Sequence, residues 1–243
     1  MKDLSWLLAI PVAHRGFHGP GVPENSCAAF HAAIRNGYTI ELDIHATKDD
    51  VLVVFHDDNL VRMTSYNKTI EDCTFTEIRD LVLDSTDEKI PALAEVLDSV
   101  NGRVGLLIEI KHHPCTRKIE ELLCHQLDKY SGKFAVASFD PRILAWFYRK
   151  HPSYIRGQIS GGLKGKKLPV LQRFLLKNLV VTLISRPDFI AYEYRYLNPW
   201  IRFFAGIFRL PVLVWTVRDP ETAKKFRDAG QNSIFEGFDS KKI

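Results

Sequence analysis

The sequence predicts an α/β chain folded as a (β/α)8 TIM barrel with a small insertion after the second strand. Three observations predict it. A length of 243 residues with 46% apolar content suits one large core of that size. Short runs rich in Val, Ile and Phe recur eight times. Helical stretches fill the gaps between them, which is the order of repeated βα units around a parallel sheet.

The eight predicted strands are residues 10–14, 39–45, 105–111, 134–139, 154–160, 188–194, 211–217 and 233–236. Between them, 26–36 reads as a helix stopped by Gly37, 141–150 as one opening on Pro141, and 220–229 as one stopped by Gly230. Asn198-Pro199 is a similar start signal. The exception is 48–103, too long for a simple connection and containing a further strand at 51–56. It is predicted to elaborate the second unit, with the insertion at about 57–103 and the whole of 1–243 forming a single domain. Asp49-Asp50 separates two alternating apolar runs and predicts a two-residue hairpin turn. Lys48 then faces Val51, Ala46 faces Val53, and Asp43 faces His56, which sets an imidazole beside a carboxylate.

Lys and Arg number 33 against 29 Asp and Glu, spread without a basic arm, so nucleic acid is not an expected partner. Cys27, Cys73, Cys115 and Cys124 form no C-x-x-C pair, and no complete secretory signal precedes the first motif. Free thiols in a reducing cytoplasm are expected. The apolar run 6–13 is too short to span a bilayer and reads as the first barrel strand.

Alternate residues of a strand share a face, so Glu41, Asp43 and His45 point one way, as do Glu109 and Lys111. Ionised groups within a barrel are costly unless paired or metal-bound, and they gather at the C-terminal strand ends. Three carboxylates there suit a hard cation such as Mg²⁺ or Ca²⁺. The plainer reading makes Glu41 and Asp43 ion-pair partners of Arg15 and Lys111. His14 closes the first strand and Gly16 permits a sharp departure after it. His56 ends its own run. Two histidines flanking a metal site supply the base and acid that diester cleavage requires, and Arg15 and Lys111 can neutralise phosphate oxygens.

His14-Arg15-Gly16, Pro23-Glu24-Asn25-Ser26, Glu41-Leu42-Asp43, Val54-Phe55-His56-Asp57, Ile90-Pro91-Ala92-Leu93, Glu109-Ile110-Lys111 and Val214-Trp215-Thr216-Val217 stand in the order and spacing of one known family. Across nearly the whole chain, and most specifically over 14–111, the sequence resembles the glycerophosphodiester phosphodiesterases. The resemblance implies that His14 and His56 are the acid/base pair and that Glu41, Asp43 and Glu109 are the metal ligands. It also implies that Arg15 and Lys111 contact phosphate and that Trp215 lines the pocket. Two departures bear on substrate choice. After the eighth strand the family usually has a Thr-Asp pair followed by Pro, whereas this chain reads Ile234-Phe235-Glu236-Gly237-Phe238, so either Glu236 replaces that Asp or the mouth is built differently; Arg62-Met63-Thr64-Ser65 only approximates the usual Arg-Thr-Thr.

The expected reaction is hydrolysis of a small glycerophosphodiester to glycerol 3-phosphate and an alcohol, with either water or the glycerol 2-hydroxyl as first nucleophile. Two rival readings are a phospholipase D-like barrel acting on lysophospholipid at a membrane surface and a non-catalytic barrel that binds phosphate compounds. The run 161–167 reads as a solvated connector, with a cationic headgroup-binding loop as the alternative. Trp200, Phe203, Phe204, Ile207 and Phe208 read as the packing stripe of a barrel helix, with a lipid-facing helix as the alternative. His18, His31, His112, His113, His125 and His151 read as loop or surface residues, whereas His45 shares the face of Asp43.

Overall fold

The structure, a computed structural model, describes residues 2–111, 118–163 and 168–243. His112, His113, Cys115 and the lysines of the 161–167 run lie outside the described residues. In chain order the elements are α1 (Ser5–Ala9), β1 (Val12–Ala13), α2 (Cys27–Asn36), β2 (Thr39–Ala46), β3 (Leu52–Val54), α3 (Val61–Thr64), α4 (Phe75–Ile78), α5 (Leu93–Val100), β4 (Leu106–Ile110) and α6 (Lys118–Leu127). They continue as β5 (Phe134–Ser138), α7 (Pro141–Lys150), β6 (Ile155–Ser160), α8 (Val170–Lys177), α9 (Thr182–Ser185), β7 (Phe189–Glu193), α10 (Pro199–Ile207), β8 (Val212–Val217), α11 (Pro220–Asp228) and β9 (Ser233–Phe235). This is the (β/α)8 barrel class, with β3 added as an antiparallel hairpin partner of β2.

The chain divides into two compact units, Ala13–Phe134 and Met1–Val12 with Ala135–Ile243. In the first, β2 lies parallel to β4 on one side and antiparallel to β3 on the other. Residues 39–45 of β2 are all buried, so its apolar face (Ile40, Leu42, Ile44) and its charged face (Glu41, Asp43, His45) are both withdrawn from water. The segment from β3 to α5 carries its own apolar cluster around Phe55, Leu60, Ile70, Ile78 and Ile90. Ser26 caps α2 by accepting from the Ala29 N–H, and Gly37 ends it at φ 61°.

In the second unit β5 to β9 pair in sequence, all parallel. Asp140, Asn198 and Asp219 cap α7, α10 and α11, each with Pro in the first turn. That is the start signal the sequence displays. Gly157 on β6 is required by close packing, because a Cβ there would meet the Phe189 ring at 2.1 Å.

Three expectations need correction. Residues 5–9 are helical and the first strand is Val12–Ala13, because Pro11 holds Ile10 in extended backbone and ends the helix before it. The hairpin register is one residue off: Ala46 pairs with Leu52 and Ile44 with Val54, and the Phe55 N–H donates to the Asp43 carbonyl. Asp50 adopts φ 66°, which makes the loop three residues long and ends it in a left-handed position. Finally, α10 buries only Ile201 and Ala205 and leaves Trp200, Phe203, Ile207 and Phe208 exposed.

Candidate active site

His14, Arg15, Glu41, Asp43, His56, Glu109 and Lys111 all lie in the first unit. The parallel register sets Asp43 of β2 beside Glu109 of β4, and strand alternation places Glu41 on the same face as Asp43. Carboxylate oxygens of Glu41, Asp43 and Glu109 therefore all lie within 4.8 Å of one another, and all three residues are buried.

Two cations close on this triad. The Lys111 ammonium sits 2.6 Å from Asp43 Oδ1 and 2.6 Å from Glu109 Oε1. Arg15 Nε lies 3.5 Å from Asp43 Oδ2, and its backbone N–H donates to Glu41 Oε2 at 2.9 Å. Arg15 can present that N–H because it holds φ 55° and Gly16 follows at φ 81°. A Cβ on Gly16 would meet Ala29 Cβ at 2.8 Å, so the turn closes only with glycine. His14 occupies the same turn, half-buried, directly after β1.

The charges do not balance within the group. Burial favours the neutral Asp43, but Lys111, then His56 and Arg15, outweigh it and hold this carboxyl below the usual range. Burial also works against the Lys111 charge, yet Asp43 and Glu109 raise its pKa above the ordinary lysine value. Glu41 goes the other way. Burial, reinforced by Asp43 and Glu109, pushes its carboxyl well above the usual range. Three carboxylates face two cations, and a further cation is what would let Glu41 ionise. Buried carboxylate oxygens alone fit a hard divalent ion.

His56 follows β3, where the strand no longer dictates side-chain direction, and it reaches the field of Asp43 even though the register is not the expected one. Its Nδ1 lies 2.6 Å from Asp57 Oδ1. Arg62 Nε donates to Asp57 Oδ2 at 2.5 Å, and Arg62 Nη2 donates to Glu24 Oε1 at 2.6 Å. Glu24 in turn accepts from Arg15 Nη1 at 2.7 Å. A continuous charged chain thus links Arg15 to His56. Asn25 donates to Asp43 Oδ2 at 2.9 Å from a left-handed backbone, φ 54°. His45 is buried with Nε2 at 3.2 Å from the His56 carbonyl, and burial brings its pKa down to about 4, so the ring is neutral and fixes the His56 backbone.

Glu24, Asn25, Asp57 and Arg62 carry no role in the sequence reading. The available signal was a run of charged and amide side chains at turns flanking both histidines. Only tertiary pairing connects Glu24 with Arg62, 38 residues away.

Trp215 belongs to the second unit. It packs edge-on against Phe139 with ring centres 5.8 Å apart, and its indole N–H is buried without a hydrogen-bond partner among the described residues. Glu236 accepts from Arg218 Nη2 at 3.0 Å. From the 161–167 run, the Gly162 N–H donates to Glu193 Oε2 and Leu163 is buried.

Solved structures share this architecture. A glycerophosphodiester phosphodiesterase from Parabacteroides distasonis aligns over 93% of this chain and 92% of its own, with TM-score 0.74 and 26% identity. An Oleispira antarctica phosphodiesterase, solved with the product sn-glycerol-3-phosphate, aligns over 96% and 95%, with TM-score 0.78 and 22% identity. YhdW of Bacillus subtilis, which carries a glycerophosphodiester phosphodiesterase name, is 32% identical over 235 residues, covering 92% of each chain. The barrel is therefore that of a phosphoric diester hydrolase. The sequence profile of the glycerophosphoryl diester phosphodiesterase family matches residues 14–238, and the chain belongs to that family.

Proposed function

We propose that the enzyme hydrolyses glycerophosphodiesters to glycerol 3-phosphate and an alcohol in a metal-dependent reaction, with His14 and His56 as the acid/base pair. The observation that carries this reading is the buried triad of Glu41, Asp43 and Glu109, in which burial and the two neighbouring carboxylates push the Glu41 carboxyl well above the usual range. These three would hold Mg²⁺ or Ca²⁺. When bound, the ion supplies a positive charge that polarises the phosphate for attack.

The remaining work falls to this chain's own side chains. Arg15 and Lys111, already at the triad, would bind non-bridging phosphate oxygens and stabilise the charge that develops on them. Asp57 orients His56 through Nδ1 and leaves Nε2 to take or give a proton. His14, on the turn that also carries Arg15, would serve as the second proton-transfer group at the leaving or entering oxygen.

The test is hydrolysis of a panel of glycerophosphodiesters with Mg²⁺, Ca²⁺ or chelator, alongside His14→Ala and His56→Ala. Losses of about 10²-fold or more are expected for either variant. Wild-type rates in both would remove the mechanism. A substrate with its glycerol 2-hydroxyl blocked separates direct attack by water from a cyclic route.

A further inference from the structure

We propose that the outer face built by α8, α9 and α10 docks onto anionic lipid bilayers. A barrel helix needs one apolar stripe, turned toward the sheet. These helices have that inward stripe, Leu176 on α8 and Ile201 and Ala205 on α10. They are apolar on the opposite side as well. Leu171 and Phe174 on α8, Ile184 on α9, and Trp200, Phe203 and Ile207 on α10 are all at least half exposed, Leu171 at 67%. Scattered exposed apolar residues are ordinary, but such a concentration on neighbouring helices marks an interaction surface.

The helices adjoin one another. α8 and α9 precede β7 and α10 follows it, and β7 lies between β6 and β8. Leu179, between α8 and α9, shares an apolar cluster with Ile201 and Ala205 of α10. The Lys177 ammonium lies 5.8 Å from the ring centre of Tyr196, just before α10.

Charge identifies the occupant. Residues 168–187 and 198–209 contain five Lys and Arg (Arg173, Lys177, Arg186, Arg202, Arg209) and no Asp or Glu. All five are exposed. The whole chain has a net charge of +4, so the remainder carries 4 − 5 = −1. A second copy docked through this face about a two-fold axis would bring basic residues against basic residues with no carboxylate to pair them. Lipid phosphates would place anions against this basic surface, on which Arg186 Nη1 donates to Tyr148 Oη and Arg202 Nη1 to Gln231 Oε1, while Trp and Phe suit the headgroup boundary. No helix among the described residues is long and apolar enough to cross a membrane, and the contact proposed for this face is peripheral.

The test uses the full chain in co-sedimentation with vesicles of phosphatidylcholine alone or mixed with phosphatidylglycerol. Binding to the anionic vesicles alone is expected, with release at high salt as the charges are screened. The pairs Leu171→Ser with Phe203→Ser and Arg173→Glu with Arg202→Glu should each weaken binding about tenfold or more. Both should keep the wild-type circular dichroism and hydrolysis of a water-soluble diester, which separates this surface from the catalytic reading. Equal binding to neutral vesicles, no binding at low salt, or unaltered binding by the folded variants overturns the proposal. A dimer that Leu171→Ser with Phe203→Ser dissolves, without vesicle binding, assigns the face to a second copy and overturns it too.

Discussion

His56 Nδ1 stands 2.6 Å from Asp57 Oδ1, and Arg62 holds the other oxygen of that carboxylate at 2.5 Å. Burial works to neutralise Asp57, but the bonds from Arg62 and His56 outweigh it and keep it ionised, so it accepts a hydrogen bond from the ring Nδ1–H. Asp57→Asn replaces that acceptor with a group able to donate, which favours the opposite tautomer of His56. Steady-state kinetics should show kcat lower by about 10²-fold with KM little changed. An unchanged kcat would detach Asp57 from catalysis.

The pH profile of kcat/KM should carry the same signature. Burial lowers the pKa of His56, and Lys111 and Arg15 add to that, against the opposing pull of Asp43 and Asp57. The ring therefore stays neutral as pH falls past the ordinary histidine value of about 6.5. With His56 as the base of the pair, the acidic limb is expected below that value in the free enzyme, and a limb at or above it would give that role to another group.

Metal should stabilise the fold as well as activate it. An ion that binds only the native triad at about 100 times its Kd adds about 2.7 kcal/mol. For a chain of this length that corresponds to a rise of about 5–10 °C in Tm. Thermal scans with Mg²⁺, Ca²⁺ and chelator measure it directly. Glu41→Gln should shrink the rise, and an identical Tm in all conditions would argue against an ion at this place.

Asn25→Ala removes a donor from the buried Asp43 carboxylate and puts alanine in a left-handed backbone. Both effects destabilise, together by about 2–4 kcal/mol. Urea denaturation of the metal-free protein should show the midpoint fall, and a neutral result would mean that water replaces the amide at no cost.

Legibility from sequence follows how local each determinant is. The alternation of Glu41 with Asp43 and the strand patterns of β2 and β4 are local, and they were readable. The convergence of Glu109 on that pair needed only a parallel register. Asp49-Asp50 predicts a two-residue turn because nothing in that pair reveals that Asp50 takes φ 66°. His56 still reaches the field of Asp43 because it lies beyond the last paired residue of β3, where one residue of slip no longer chooses its side. Glu24 with Arg62 could not be read at all, since their ion pair exists only once two distant turns are folded together. The outward face of α10 is not legible in the sequence, because apolar periodicity shows that a stripe exists and says nothing about which side is covered.

The ammonium of Lys111 already bridges Asp43 and Glu109. Any divalent ion entering the triad therefore arrives as a rival to a resident charge, and its net gain is only the difference between the two. An ion held on those terms would load and unload with the supply of free ion around it, so occupancy would follow the surroundings rather than being sealed in when the chain folds.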